Sequence, residues 1–333
     1  MSEVRRIFVT GASGFVGATL VRLASEAGYE VHAFVRSTSP TEALDPFRPT
    51  YHVGDVVDPE SLERALGEVA RGGAFDVVHS AALISYRTRD AEAARRVNVE
   101  GTRLVLEAAK RANARRLCHV SSVVAVATAE GDEVLDESAA FRGVTNSHYT
   151  TTKRAAEDYV RAVANEQEVV IVNPGAIFGP SLTWTNSMRF LQRASTGDLP
   201  SFAPPGHLSV VGVEDVARGI LASLARGRAG ERYLLCGENW THEQLFRAAA
   251  ELFGQAPPKG TLPAFLWRTA RALVSVVDRV RPMELVTPQM MAHLGSSYRF
   301  DASKAERELG LSFQPAREVL ASAKASLAKL TSE

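Results

Sequence analysis

A strand-like apolar run, Ile7-Phe8-Val9, passes directly into Thr10-Gly11-Ala12-Ser13-Gly14-Phe15-Val16-Gly17, and Leu20, Val21, Leu23 and Ala24 then continue at helical spacing. Glycines at i, i+3 and i+6 let a strand turn tightly into a helix. They also let backbone N–H groups approach a pyrophosphate, which the helix N-terminus would face. The spacing departs from the general Gly-x-Gly-x-x-Gly form, and a flexible turn is the alternative reading of a lone glycine run.

The next segment, Glu30-Val31-His32-Ala33-Phe34-Val35-Arg36, reads as a second strand about 20 residues downstream, the interval of a βαβ unit. An NAD site commonly ends this strand in Asp or Glu, which accepts hydrogen bonds from the ribose 2′-hydroxyl. Here Val35-Arg36-Ser37 stands instead. A guanidinium and a hydroxyl suit a 2′-phosphate, so the segment favours NADP(H) over NAD(H). A solvated arginine at a strand end is the alternative.

At 333 residues the chain can bury a large core, and its 45% hydrophobic and 23% charged residues are ordinary globular values. Its 38 basic and 38 acidic side chains cancel, so no global field favours nucleic acid or an anionic membrane, and small molecules are the expected partners. Cys118 and Cys236 stand far apart and outside any metal-ligand spacing, so neither a disulfide framework nor a metal site is expected. A reducing, cytoplasmic location fits. Arg5-Arg6 leads into the glycine motif rather than into the hydrophobic core of an export signal, so the chain is expected to start inside its fold. Leu262 to Val280 is interrupted by Arg268, Arg271 and Asp278 and is not a membrane span.

Strand-like runs at 7–10, 31–35, 51–53, 75–79, 117–120 and 169–172 alternate with helix candidates at 14–27, 59–70, 90–113 and 148–165. This predicts an α/β fold with a doubly wound, mostly parallel Rossmann sheet covered by helices on both faces. Beyond Pro174, a scatter of prolines marks loops between shorter elements, as in a lobe that shapes a substrate site. The expected organisation is a dinucleotide-binding domain over residues 1–180, with a return strand near 231–236, and a smaller, discontinuous C-terminal substrate-binding lobe over 181–230 and 237–333.

Tyr149 and Lys153, four apart at the start of a predicted helix, share one face. A free phenol titrates near ~10, and an adjacent ammonium favours phenolate and lowers that value. A lysine there could also hold the nicotinamide ribose. Val120-Ser121-Ser122 ends a parallel strand, where open α/β sheets bind ligands. Hydroxyl, phenol and ammonium would converge to polarise a carbonyl and move a proton. Turn-forming serines and an exposed helical pair are the bland alternatives.

The glycine motif, Gly54-Asp55, His79-Ser80-Ala81-Ala82, Asn98, Ser121-Ser122, Tyr149-x-x-x-Lys153 and Asn173-Pro174-Gly175 occur in an order that resembles the extended short-chain dehydrogenase/reductase family, within the NAD-dependent epimerase/dehydratase superfamily. The resemblance spans roughly residues 4–180. Asn98 to Thr102 and Val172 to Pro180 look most like its dihydroflavonol-4-reductase-like and 3β-hydroxysteroid-dehydrogenase-like branches. It implies that Gly11, Ser13, Gly14, Phe15, Val16 and Gly17 support the pyrophosphate, and that Asp55 and Val56 lie by the adenine. Ala81 and Ala82 would line the cofactor, with Asn173, Pro174, Gly175 and Ile177 near the nicotinamide. Asp55 could instead be a turn or cap residue, and Asn98 could be structural or hold a water relay. Hydride transfer is the implied chemistry. Ser122 would hydrogen-bond the substrate oxygen, Ser121 being the alternative, while Tyr149 exchanges the proton and Lys153 tunes it and holds the ribose. No metal is needed.

Three functions remain in play. The first is NADPH-dependent reduction of a ketone or aldehyde on a hydrophobic molecule, or the reverse oxidation. The second is a nucleotide-sugar epimerase or dehydratase with tightly held cofactor. The arginine such members carry before a Val-Asp-Asp-Val-like segment is missing from His207 to Val216, although Arg189 and Arg193 could substitute. The third is a non-catalytic NADP-sensing protein. Trp184, Phe190, Phe202, Phe265, Leu266 and Trp267 are available to a greasy substrate, core packing being the alternative. Residues 265–280 have apolar positions at helical intervals with arginines between. They could form a lid, a homodimer face, a peripheral membrane contact or a solvated amphipathic helix. His148 and His79 are read as flanking and strand-closing residues.

Overall fold

The inner apolar runs form strands that are apolar on both faces, so each needs cover above and below, whereas the edge strand Thr50–Val53 is mostly exposed. The computed structural model describes residues 5–281, 283–284 and 286–332. The ends of the two expected units, residues 1–4 and 333, and positions 282 and 285 within the second, lie outside the described residues. The first half alternates β1 (Arg6–Thr10), α1 (Phe15–Glu26), β2 (Glu30–Val35), β3 (Thr50–Val53), α2 (Pro59–Ala70), β4 (Phe75–His79), α3 (Ala91–Arg95), α4 (Gly101–Arg111), β5 (Arg116–Val120), α5 (His148–Ala162) and β6 (Val169–Pro174). Shorter pieces follow: β7 (Ala176–Phe178), α6 (Asn186–Thr196), β8 (Phe202–Ala203), β9 (His207–Gly212), α7 (Val213–Arg226), β10 (Arg232–Leu235), β11 (Asn239–Thr241), α8 (His242–Leu252), β12 (Gly260–Thr261), α9 (Ala264–Val280), α10 (Pro288–Leu294), α11 (Ser303–Leu309) and α12 (Ala316–Ser332).

Seven strands make one parallel sheet in the order β10-β6-β5-β4-β1-β2-β3. The chain winds outward from β1 through β2 and β3, then returns to β4 on the other side of β1. That reversal opens a crevice at the carboxyl ends of β1 and β4, where sheets of this kind bind ligands. Alternation along β1 shows both covers. Ile7 and Val9 face a core shared with Leu20 and Val21 of α1 and Ile220 of α7, while Phe8 faces one shared with Leu62 and Leu66 of α2 and Val105 of α4. A third core, around Met188, Leu191, Trp240, Phe246 and Leu320, joins α6, α8 and α12 to β9.

The predicted helix over 90–113 is broken at Arg96–Glu100 by a π-helical turn. One extra residue is inserted there, and Asn98 is buried within it.

Candidate active site

Gly11, at the carboxyl end of β1, has φ +69°, and a Cβ on it would stand 2.7 Å from the Ala81 nitrogen. Gly17 lies inside α1, where a Cβ would stand 2.0 Å from the Gly11 carbonyl oxygen. The turn therefore packs backbone against backbone, next to Ala81 and Ala82 at the end of β4. Gly14 is the exposed N-cap of α1, its N–H bonded to Gly11 O at 2.9 Å. No side chain caps this helix and no acid stands in its first turn. Its first-turn N–H groups, on Phe15, Val16 and Gly17, keep the positive end of the helix available to an anion, so the residues fit a dinucleotide pyrophosphate. Ser13, Phe15 and Val16 are half-buried around it.

Arg36 is exposed just past β2. Its side chain has no partner among the described residues, while its N–H is bonded to Ser39 Oγ at 3.2 Å. Asp55 accepts from the Val57 N–H at 3.2 Å through its carboxylate, and its own N–H donates to Ser61 Oγ, also at 3.2 Å. It is therefore a turn residue whatever else it touches. The Val56 side chain lies in the core against Gly101, leaving only its backbone for a ligand.

β5 ends in Ser121-Ser122, and the structure separates the two hydroxyls. Ser121 is buried and donates to Glu157 Oε2 at 2.6 Å. Ser122 Oγ accepts from the Val124 N–H at 3.4 Å, which leaves its proton free, and it lies close enough to the Tyr149 phenol to favour the ionised form. Ser147 caps α5 by accepting from Thr150 N–H, which puts Tyr149 and Lys153 on the helix face toward the sheet. Lys153 Nζ is buried and donates to Val120 O at 2.9 Å.

The expected lowering of the Tyr149 pKa does not hold in this structure. Burial pushes the phenol up to about 12, outweighing its hydrogen bond with Ser122. Burial also pulls Lys153 down to about 8, against the opposing charge of Glu157. Desolvation of each charged form is the stronger effect on both groups.

Glu157 was not singled out by the sequence reading. Wholly buried one turn past Lys153, it accepts from Ser121 and from Asn173 Nδ2 at 2.7 Å, with Arg232 Nη1 3.5 Å away. Asn173 also donates to Ser122 O at 3.0 Å, so the end of β6 fixes the end of β5. An acid on the sheet-facing side of an otherwise core-directed helix was the available signal. Pro174 lies in register with Leu235 of β10. Gly175 passes so close to β9 that a Cβ would meet Ser209 O at 2.4 Å, and Ile177 packs toward the core.

Asn98 has a structural role: it accepts from Leu83 N–H at 2.7 Å and donates to Leu83 O and Thr152 Oγ1 at 3.0 and 3.1 Å. His79 closes its strand with a defined tautomer. Thr102 donates to Asn98 O and so accepts from His79 Nε2–H at 3.0 Å, leaving Nδ1 to accept from Thr10 Oγ1 at 2.8 Å.

The wall beyond Tyr149 comes from distant segments. Tyr86 meets Tyr149 edge-on at 5.7 Å between ring centroids, and His293 lies 5.2 Å from Tyr86 and 4.8 Å from Tyr298. Of the aromatics picked from the sequence, Phe190 packs with Phe178 and Phe246 in the third core, and Phe202, Phe265 and Trp184 are exposed. None of the three rings at Tyr149 has local periodicity to mark it.

Residues 7–236 match the model of the NAD dependent epimerase/dehydratase family. The chain is 34% identical over 324 residues to "Sterol demethylase protein B" of Methylococcus capsulatus, covering 91% of this chain and 92% of that protein. It is 32% identical over 332 residues to the "Putative dihydroflavonol 4-reductase" of Synechocystis, covering 95% and 92%. The crystal structure of gox2253 superposes with a TM-score of 0.85 at 30% identity, over 97% of this chain and 98% of that one. The crevice, the uncapped glycine turn and these matches make the chain an NAD(P)-dependent oxidoreductase of the NAD-dependent epimerase/dehydratase family, within the extended short-chain dehydrogenase/reductase superfamily.

Proposed function

We propose that this enzyme uses NADPH to reduce a ketone or aldehyde on a hydrophobic small molecule, or runs the reverse oxidation, with Ser122, Tyr149 and Lys153 at the reacting centre. The observation that carries this reading is the Ser122 hydroxyl beside the Tyr149 phenol, one helical turn from a buried ammonium, at the carboxyl end of the sheet. When bound, the reduced nicotinamide supplies hydride to the carbonyl carbon. Tyr149 keeps its proton at neutral pH and donates it to the oxygen that gains charge. Ser122 directs its free O–H at the same oxygen, and Lys153, one helical turn along from Tyr149, would bring a positive charge to the site and a hydrogen bond to the ribose.

The apolar substrate class rests on the surroundings of Tyr149, where Val123, Val124, Leu135, Tyr298 and Phe300 form one buried cluster with Tyr86 packed against it. The names of the sterol and dihydroflavonol relatives point the same way. Residues 181–230 and 237–333 would supply most of the substrate lobe. The preference for NADPH rests on the unpartnered Arg36 guanidinium, where a carboxylate would suit NAD(H). Against a nucleotide sugar, Arg193 is already bonded to Asp198 O, leaving exposed Arg189 as the candidate for a diphosphate.

The test is NADPH and NADH oxidation by the purified protein against steroid ketones, aryl ketones, aliphatic β-keto compounds and nucleotide sugars. Turnover of an apolar ketone supports the reading. Conversion of a nucleotide sugar without net cofactor consumption would replace it with an epimerase, and tight NADPH binding without turnover across the panel would leave a sensor. Tyr149→Phe is expected to lower turnover at least about 100-fold while cofactor still binds. Arg36→Ala is expected to weaken NADPH binding about tenfold or more and to leave NADH binding unchanged; equal losses would remove the 2′-phosphate argument.

A further inference from the structure

Helix α9 (Ala264–Val280) is seventeen residues long and buries none of them fully. At 3.6 residues per turn, Leu266, Leu273, Val277 and Val280 run down one stripe, with Phe265 and Val276 beside it. These six side chains are between 44% and 86% exposed. Their number and continuity set them apart from the scattered apolar residues of an ordinary surface. The half-buried positions, Trp267, Ala270, Arg271, Val274, Ser275 and Asp278, are turned to the protein, and Trp267 Nε1 donates to Met291 O at 3.0 Å.

Past Phe265 and Val276, on the flank about 160° round the helix from Leu266, Leu273 and Val277, Arg268, Arg271, Ser275 and Arg279 recur at i, i+3, i+7 and i+11, Arg268 and Arg279 exposed and Arg271 and Ser275 half-buried. They line a groove with Asn146 and Pro288. Arg281 follows at the helix end. These four arginines have no carboxylate partner among the described residues. The only acid on the segment, Asp278, accepts from Met283 N–H at 2.7 Å. In a chain whose formal charge sums to zero, this is a local excess of cations laid along an apolar face.

We propose that α9 docks on a lipid surface bearing anionic headgroups, with the apolar stripe in the acyl boundary and the three-arginine groove on phosphate. The charge pattern selects this occupant over a second copy of the chain. An antiparallel helix pair would bring Arg268 and Arg279 of one copy beside Arg279 and Arg268 of the other. A parallel pair would lay the arginine edge against Leu266 and Val277, and neither arrangement supplies a carboxylate. An anionic bilayer supplies phosphate and hydrocarbon at adjacent depths, the pairing an interfacial amphipathic helix uses. The docked helix also adjoins the candidate site. α9 holds α10 through Trp267, and α10 holds the residue before Tyr149 through the bond from His148 N–H to Gln289 Oε1 at 3.1 Å.

Sedimentation with vesicles tests this without reference to turnover, so its outcome is independent of the reductase reading. The full chain is expected to pellet with phosphatidylcholine vesicles containing phosphatidylglycerol about tenfold more than with phosphatidylcholine alone, and less at high salt. The double variant Leu273→Glu, Val276→Glu should lose most of the binding at either composition. The milder Arg268→Gln, Arg279→Gln should lose only the preference for phosphatidylglycerol. Circular dichroism and an unchanged thermal midpoint check that each variant is folded. Failure of the unmodified protein to pellet with either vesicle overturns the proposal, as does binding unchanged in both variants. A dimer in light scattering that Leu273→Glu, Val276→Glu dissociates assigns the face to a second copy and also overturns it.

Discussion

Lys153 is buried and donates to Val120 O, and the titratable groups that act on it or feel its charge are Glu157 on its own helix and His79 and His119 from the sheet. With its ammonium pulled down to about 8, it is charged below that pH and loses its proton as pH rises through it. Tyr149, at about 12, stays protonated throughout. Under the proposed reductase function, the rate is therefore expected to be flat from about pH 6 to 7 and to fall through a single ionisation near about 8. Lys153→Arg, which does not deprotonate in this range, should remove that limb at reduced rate; a limb that survives would assign it elsewhere. A second residue-scale contrast separates fold from binding at the glycine turn. Gly17→Ala forces a Cβ into the Gly11 carbonyl and is expected to cost about 1–3 kcal/mol, read as a lower denaturant midpoint. At Gly14 the same Cβ would meet Gly11 O at 3.2 Å and otherwise project to solvent. Gly14→Ala should therefore weaken cofactor binding more than it shifts the midpoint. The glycines, Tyr149 and Lys153 were legible because their spacing alone fixes their relation. Glu157 was not, because its role depends on Ser121, Asn173 and Arg232 arriving from three different strands.

Sequence period located the strands of the main sheet and the helices that cover it to within a few residues, because each element has a continuous apolar face. The exception is the segment between α3 and α4. Val97, Gly101, Leu104, Val105 and Ala108 read as one helix, but burying Asn98 against Leu83 takes one more residue per turn at Arg96–Glu100. That bond joins residues fifteen positions apart and leaves no trace in the period. Asn98→Ala would leave Leu83 N–H and C=O without these partners, and the expected loss of stability is about 1–3 kcal/mol for each backbone group so stranded. Thermal unfolding and hydrogen exchange at Leu83 check it, and a protected Leu83 amide in the variant would refute the structural role. The later elements were less legible for a related reason. Leu135 bridges to Phe300, Ala129 to Ser297, and Tyr86 stacks on His293, so the wall at Tyr149 is made by pairings that follow no local repeat.

Across the whole molecule, the balanced charge of 38 basic and 38 acidic residues gives no reason for unusual sensitivity to acid. The buried histidines do. His79 is pushed down to about 3 by burial and by the Lys153 charge; His242 and His293 are pushed down to about 4, mainly by burial. His119 is lowered in the same way, well below its ordinary value. His79, His242 and His293 each tie separate parts of the fold together as a neutral ring. His79 bridges β1 to α4, His242 lies on Gly206 O at 2.8 Å, and His293 is 3.1 Å from the Tyr298 hydroxyl. The sign follows from the proton count. Unfolded, these rings take up protons near about 6.5, whereas folded they do not until well below. The unfolded state therefore binds more protons between those values, so stability is full above about 6.5 and is lost progressively toward about 4. His79, His119, His242 and His293 all withdraw stability in the same direction as the pH falls below about 6.5. The midpoint of denaturant unfolding is expected to fall steeply between pH 6.5 and pH 5. Replacing His242 by Gln, which keeps a polar group beside Gly206 O but cannot ionise, should flatten the slope by about one proton's worth while costing stability at pH 7. A slope unchanged in that variant would show that His242 does not contribute to the acid limit of this fold.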